Sequence, residues 1–293
     1  MPQREEVAVV TGSSTGIGFE TSLTLARNGF HTYATMRKLE GGRGGSNQIA
    51  DIAKNENLSL QVIQLDVDND KSVLEAINRI ITEKNRIDVV VNNAGYALVG
   101  AFEENSMQEI KAQFETNFFG TVRVMQAVIP IMRKQRSGRI VNITSMGGRI
   151  AIPLDSIYHG TKFALEGITE SIQYEVEPFG IKVILIEPGA IGSNFWKNLK
   201  ITAKASGHGD NNDNSPYRQL SNNMLDTLKQ IEQNTIHPSE VAKVILQAVM
   251  ADNPDFRYIV GKDAAMMLEA RRNMSDREFH DLLKKQFNLQ NVS

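Results

Sequence analysis

A tyrosine and a lysine four residues apart, in Tyr158-His159-Gly160-Thr161-Lys162, fall on one face if their segment is helical. Leu165, Ile168 and Ile172 continue the apolar side of such a helix. Upstream, Ser145 closes the β-branched run Ile143-Thr144-Ser145, at the end of a strand by this reading. The chemistry these three types could do together is acid–base work on an oxygen. Hydride addition to a carbonyl needs a proton on that oxygen, and a free tyrosine, with a pKa near 10, exchanges protons poorly at neutral pH. Lowering it by about three units takes ~4 kcal/mol, and an ammonium about 4 Å away at an effective dielectric near 20 supplies roughly that. Alone, Tyr-x-x-x-Lys is a weak sign, because any amphipathic helix can carry it.

A second motif gives it company. Thr11-Gly12-Ser13-Ser14-Thr15-Gly16-Ile17-Gly18 follows an apolar run and precedes a helical pattern bearing Leu23 and Ala26, which ends near Gly29. Strand, glycine turn and helix form the setting in which backbone closely approaches a pyrophosphate and a helix N-terminus offers free N–H groups. Three residues separate Gly12 from Gly16 where the usual dinucleotide fingerprint has one. At the end of the next strand, Tyr33-Ala34-Thr35-Met36-Arg37-Lys38 lacks the acid that holds a free ribose 2′-hydroxyl. Arg37 and Lys38 offer cationic donors for a 2′-phosphate instead, so the expected cofactor is NADP(H), with NAD(H) as the second possibility.

The elements that must position these residues recur with a clear rhythm. Short β-branched runs at Val7 to Thr11, Thr32 to Thr35, Leu60 to Asp66, Asp88 to Asn92, Arg139 to Thr144, Lys182 to Glu187 and Tyr258 to Val260 alternate with amphipathic segments. Most runs are continuously apolar, as in strands buried on both faces of a parallel sheet. The expected fold is α/β, a Rossmann-type doubly wound parallel seven-stranded sheet in three layers, with residues 1–293 as one domain. Helices are expected from Ser72 and from Pro238. The interval 190–237 is expected to be a substrate-binding lid and 263–293 a C-terminal helical extension. Glu40 to Ser46 reads as a turn with no chemistry of its own.

Composition narrows the classes. The 293 residues carry 32 Lys plus Arg against 34 Asp plus Glu, a net charge of -2, so no field draws a nucleic-acid backbone. No cysteine is present, which removes disulfides, thiolate metal sites and cysteine nucleophiles and fits a reducing, cytoplasmic setting. No apolar stretch approaches the roughly 18 residues of a membrane span, and the acidic start (Glu5, Glu6) does not suit a signal peptide. The Asp/Asn run at 210 to 214 resembles a calcium loop, but Ser215 and Ser221 stand where its glycine and bidentate glutamate belong. The five histidines show no ligand spacing, so no metal is expected, and His159 is expected on the helix surface, away from the active face.

With Asn92-Asn93-Ala94-Gly95 after the fourth run and Asn117 beyond it, the motifs together resemble the short-chain dehydrogenase/reductase family, in its compact single-domain branch, over about residues 5 to 260. That resemblance implies Tyr158 as general acid/base, Lys162 as the group that lowers its pKa and holds the nicotinamide ribose, and Ser145 as orienter of the substrate oxygen. It implies Asn117 as the end of a water-linked proton relay. For the cofactor it implies Gly12, Ser14, Thr15, Gly16, Ile17, Gly18, Arg37, Asp66, Val67, Asn92, Ala94, Gly95, Tyr158, Lys162, Pro188, Gly189, Ile191 and Ser193, the last where the family commonly has threonine. Wording such as Thr-Tyr-Ala-Thr-Met-Arg is similar to hydroxysteroid and retinol dehydrogenase-like members.

Leu98, Met146, Ile152, Phe195 and Trp196 would then flank the substrate, and their apolar character suits a lipophilic ketone, aldehyde or alcohol. A plain hydrophobic core would look the same. Two other functions compete with this oxidoreductase: a β-ketoacyl thioester reductase, usually a shorter chain, and a catalytically silent nucleotide sensor on the same fold, which would not need Ser145, Tyr158 and Lys162 together. The apolar excess of Asn117 to Met132 and Tyr158 to Val176 predicts a second partner surface, and the resemblance implies a homodimer or homotetramer.

Overall fold

Runs rich in β-branched residues favour extended backbone, and here those at the middle of the sheet are buried on both sides while the edge runs are partly exposed. The computed structural model describes residues 5–39, 45–192, 200–201 and 215–289. In chain order the elements are β1 (Val7–Val10), α1 (Gly16–Arg27), β2 (His31–Met36), α2 (Gly45–Asn55), β3 (Leu60–Gln64), α3 (Asp70–Lys84), β4 (Val89–Asn92) and β5 (Leu98–Val99). There follow α4 (Met107–Phe114), α5 (Gly120–Gln135), β6 (Gly138–Ile143), α6 (Ser156–Val176), β7 (Ile181–Pro188) and β8 (Lys200–Ile201). The chain continues with α7 (Arg218–Glu232), α8 (Pro238–Met250), β9 (Arg257–Val260), α9 (Lys262–Asn273) and α10 (Asp276–Gln286).

Seven strands form one sheet in the order β3-β2-β1-β4-β6-β7-β9, every neighbouring pair parallel. The expected seven-stranded, doubly wound sheet is therefore observed. Because side chains alternate along a strand, Val7 and Val9 point into one layer and Ala8 and Val10 into the other. The first layer packs on α3 and α5 through Val73, Ile77, Ile80, Val124 and Val128. The second packs on α1 and α8 through Leu25, Val241, Ile245 and Ala248, and α2 extends it through Ile49.

Local signals set several boundaries. Asn69 caps α3 by accepting the Ser72 N–H, so that helix starts at Asp70, before the expected Ser72. Ser106 with Glu109 and Ser275 with Glu278 form reciprocal capping boxes that start α4 and α10. Between α4 and α5, residues Glu115–Phe119 form a single π-helical turn. β6 stops at Ile143, two residues before Ser145, which instead opens a short 3-10 turn over Met146–Gly148.

The strap from Ser145 to Asp155 leads into α6. Its apolar residues Met146, Ile150, Ile152 and Leu154 pack with α7 (Met224, Leu228), α9 (Met267, Leu268) and α10 (Phe279, Leu283) and with Phe287. Helices from the two stretches expected as lid and C-terminal extension thus meet on the segment that joins Ser145 to Tyr158. Among the described residues no helix is long and apolar enough to cross a membrane. Ser193, Phe195, Trp196 and the Asp/Asn run at 210 to 214 lie outside the described residues, as do residues 40–44 of the turn expected over Glu40 to Ser46, whose last two residues instead begin α2.

Candidate active site

Parallel strands bring all their C-terminal ends to one edge, and the chain reverses its direction of winding between β1 and β4. Ligands of open α/β sheets bind in the crevice at that reversal. There the turn after β1 has Gly12 at φ +67° and Gly16 at φ +61°, in the left-handed region that side chains disfavour. A Cβ on Gly18 would sit 2.4 Å from the Gly12 carbonyl oxygen, so the turn folds back tightly on the helix start. Thr15 caps α1 without a side-chain hydrogen bond, and no acid stands in the first turn, an arrangement that suits an anion at this helix start. Ile17 packs on the second core layer and anchors this helix start to the sheet.

Thr11 ties the turn across to β4. Its hydroxyl accepts the Asn93 and Ala94 N–H groups at 3.0 and 3.1 Å. Asn93 Nδ2 in turn donates to the carbonyls of Thr11 and Gly12, at 3.0 and 3.2 Å. Thus Asn93 fixes the glycine turn, a role that spacing alone did not reveal, although a polar pair closing a buried apolar strand was a signal for it. Asn92 is placed differently from the expected cofactor channel. Its side chain is 3% exposed and donates to Asn142 Oδ1, which lies among Met125 and Thr169 in the first core layer. Successive side chains along a strand point to opposite faces, and Asn92 takes the one that meets Asn142 in the core.

Around the same edge stand Arg37, exposed just after β2, Asp66 and Val67 beyond β3, Gly95 after β4, and Pro188, Gly189 and Ile191 at the end of β7. Asp66 Oδ1 accepts the Asp68 N–H. Arg37 is close enough that its charge pulls down the Asp68 carboxyl, which burial pushes up more strongly. The segment after Pro188 is held by Asp263, whose carboxylate accepts the Ala190 N–H at 2.7 Å, and by a bridge of Ile191 to Ile236. Leu98 is buried on β5, which pairs with β8.

The reactive groups meet beside that crevice. Ser145 Oγ accepts the Gly147 N–H at 3.0 Å, donates to the Pro188 carbonyl at 3.4 Å and shares a hydrogen bond with Tyr158. Lys162 Nζ lies 5.6 Å from the Tyr158 ring centroid and donates to the Ile143 carbonyl at 2.8 Å. Burial holds the Tyr158 phenol above its usual range, with the Ser145 bond acting against the rise. Burial also lowers the Lys162 ammonium to about 8, opposed by the charge of Glu166 one turn on. Lys162 therefore sits here as a buried cation directed at a strand-end carbonyl, beside the Tyr158 ring.

Asn117 sits in the π-helical turn and is buried. Its amide donates to the Tyr96 carbonyl and to Thr161 Oγ1, at 2.9 and 3.2 Å, and its Oδ1 accepts the Tyr96 N–H. Thr161 donates onward to the Tyr158 carbonyl at 2.7 Å. The side chain is thus committed to holding the post-β4 loop against α6. Below Lys162, Glu166 and the fully buried Glu187 share Arg257, at 3.2 and 3.1 Å, while Arg149 reaches Glu187 at 3.5 Å. Burial raises both carboxyls and the arginines pull them back.

One expectation is overturned. His159 is not on the helix surface: it is 6% exposed, because the strap folds over the face beside Tyr158. Its ring bonds to the Gly147 carbonyl and the Ile152 N–H.

The chain matches the family model for short chain dehydrogenase over residues 6–204. It is 37% identical to a 3-ketodihydrosphingosine reductase of Bacteroides thetaiotaomicron, covering 87% of this chain and 88% of that one. It is 35% identical to a retinol dehydrogenase 8 of Bos taurus, covering 88% of this chain and 82% of that one. A solved structure described as ElxO with NADP bound superposes with a TM-score of 0.68 at 28% identity, covering 87% of this chain and 96% of that one.

The buried ammonium carries a testable cost. A lysine whose pKa falls from 10.5 to about 8 on folding holds its proton less well in the folded chain, so folding is penalised below pH 8 and the penalty fades toward pH 10.5. Lys162→Met is expected to be more stable than the parent at pH 7, by up to ~3 kcal/mol, with the gap narrowing at pH 10. Urea unfolding at both pH values checks this; a variant less stable at pH 7, or a gap independent of pH, contradicts it.

Proposed function

On the premise that the chain belongs to the short-chain dehydrogenase/reductase family and is a nicotinamide-dinucleotide-dependent oxidoreductase, we propose that it reduces a lipophilic ketone or aldehyde to an alcohol with NADPH. The observation that carries this reading is the hydrogen-bonded Ser145–Tyr158 pair with Lys162 beside it, at the same sheet edge as the glycine turn. The residues present fit a dinucleotide, because Gly12 and Gly16 take left-handed φ and a Cβ at Gly12 or Gly18 would collide with Ala94, Asn93 or the Gly12 carbonyl, so only glycines let the turn fold this tightly before the α1 N-terminus. Gly12, Ser14, Thr15, Gly16 and Gly18 would hold the pyrophosphate, with Asp66, Val67, Ala94 and Gly95 toward the adenine side and Pro188, Gly189 and Ile191 toward the nicotinamide. When bound, the nicotinamide supplies the hydride. Ser145 Oγ, fixed by the Gly147 N–H, orients the substrate oxygen, and Tyr158 delivers the proton to it.

A phenol held protonated by burial is in the state a reduction requires at its start. As Tyr158 gives up its proton, the Lys162 ammonium 5.6 Å from the ring stabilises the phenolate in a poorly solvated site. Asn117 holds the Tyr96 loop and Thr161 in register with this pair.

The apolar cluster formed by Met146, Ile152 and Leu154 with α7, α9 and α10 supports a lipophilic substrate, with Leu98, Phe195 and Trp196 as further candidate contacts. The names of two relatives, which refer to 3-ketodihydrosphingosine and retinol, point the same way. Arg37, with no acid near it on β2, supports recognition of the 2′-phosphate. Phe119, in the π-helical turn before α5, and Phe163 on α6 are 48% and 47% exposed and Tyr174 on α6 is 72% exposed, which supports a homodimer or homotetramer through this face.

NADPH oxidation across carbonyls graded from small polar ketones to 3-ketodihydrosphingosine, steroids and retinal is expected to give the highest kcat/KM with the bulky apolar members; a preference for small or thioester carbonyls overturns the substrate class. Tyr158→Phe is expected to lose roughly 10²–10⁴-fold in kcat while still binding NADPH, and turnover within threefold of the parent refutes the mechanism. Arg37→Ala is expected to weaken NADPH binding by roughly 10–100-fold with little change for NADH; equal losses for both would remove Arg37 from 2′-phosphate recognition. Sedimentation at micromolar concentration should give the mass of a dimer or tetramer, and a monomer would contradict the interface.

A further inference from the structure

His159 occupies the position between the two reactive residues of α6 that would be expected to face away, yet it is among the most engaged side chains in the strap region. The Ile152 N–H donates to its Nε2 at 3.1 Å, so Nε2 must carry a lone pair. Nδ1 lies 2.8 Å from the Gly147 carbonyl and must therefore donate. The partners select one state, the neutral ring protonated at Nδ1. Gly147 is also the residue whose N–H fixes Ser145 Oγ, at 3.0 Å. One residue thus connects the imidazole to the hydroxyl that meets Tyr158. The approach is close: a Cβ on Gly147 would stand 2.8 Å from His159 Nδ1.

The strap needs such a tie. Leu154 adopts φ +60°, a left-handed conformation that its side chain disfavours. It is held there by the Gly100 N–H on its carbonyl at 2.8 Å. Between that anchor and Ser145, the two bonds from the ring tie the strap to α6. The titratable groups facing the ring are Tyr158, edge-on at 5.8 Å between centroids, and Asp155, whose Oδ2 lies 3.8 Å from Nε2. From the strap side it meets backbone groups, with Arg149 turned to Glu187. Protonation of Nε2 would set an N–H against the Ile152 N–H and favour a turn toward Asp155. Burial opposes that by holding the imidazole below its usual range and the Asp155 carboxyl well above its own.

We propose that His159 is a positioning residue: the neutral imidazole clasps the strap at Gly147 and Ile152, and so holds Ser145 Oγ at the reacting oxygen and Ile152 at the substrate wall. The proposal rests on the reading of Ser145 and Tyr158 given above, and its test separates the two. In the full-length protein, hydrogen exchange followed by mass spectrometry should show residues 146–155 exchanging at least about tenfold faster in His159→Ala than in the parent, while β6 and the rest of α6 keep their protection. His159→Gln, which can accept from one partner and donate to the other, should restore part of the protection. With the carbonyl of the graded series that is turned over best, His159→Ala should lose roughly 10–100-fold in kcat with unchanged NADPH affinity. The parent should lose activity on acidification below the ordinary imidazole range, a limb that His159→Gln lacks. Unchanged exchange at 146–155, or His159→Ala and His159→Gln equally impaired with the acid limb intact, overturns the clasp. If Tyr158→Phe collapses while His159→Ala keeps its kcat, the clasp alone fails; if Tyr158→Phe keeps its kcat, the catalytic reading fails and the exchange result alone judges the clasp.

Discussion

Everything at the active edge depends on how β1 and β4 lie side by side. They are the pair from which the sheet winds outward in both directions, so the connections leaving their C-terminal ends diverge and open a crevice. A crevice between diverging loops would be loose were it not bound across its base. Thr11 and Asn93 supply that binding with a reciprocal set of hydrogen bonds, joining the residue before the glycine turn to the residue after β4. The turn can then be both tight and placed, with the β4 loop carried onward through Tyr96 to Asn117 and Thr161.

Around this base the structure keeps charge in places where it is costly. Lys162, Glu166 and Glu187 are all buried, and none is neutralised by a simple one-to-one pair. Arg257 is shared by Glu166, Glu170 and Glu187, and Arg149 reaches Glu187 from the strap. Such a network weighs little as a source of stability, because desolvation offsets most of the attraction. Its geometric effect is larger: it links the last strand, the end of β7, the strap and the helix that carries Tyr158. Four segments distant in sequence are made to agree on one arrangement.

Much of this was legible before the structure. Seven β-branched runs, nearly all apolar throughout, imply strands covered on both faces, and the boundaries differ from those observed by only a residue or two. Glycine spacing and the Tyr-Lys interval are local patterns, and local patterns survive in sequence. What sequence hid was non-local. His159 is read as a surface residue from its place on the helical wheel, because nothing nearby reveals that the strap returns over it. Asn92 and Asn93 are equivalent as letters, and only the pleat decides that one enters the core and the other grips the glycine turn. The union of α7, α9 and α10 on the strap depends on tertiary packing between segments more than sixty residues apart.

The π-helical turn at Glu115–Phe119 has a consequence for how the molecule can change. One residue more than an α-helix would use shifts every later side chain by about 100° around the axis. α4 and α5 are consequently continuous as a rod but out of phase as surfaces. Gln113, before the offset, turns to the Tyr96 carbonyl, and Val124 and Val128, after it, turn to the sheet. An inserted or deleted residue here would act as a change of gear, rotating one surface while leaving the other in place. Substitution can alter this helix gradually; a change in its length cannot.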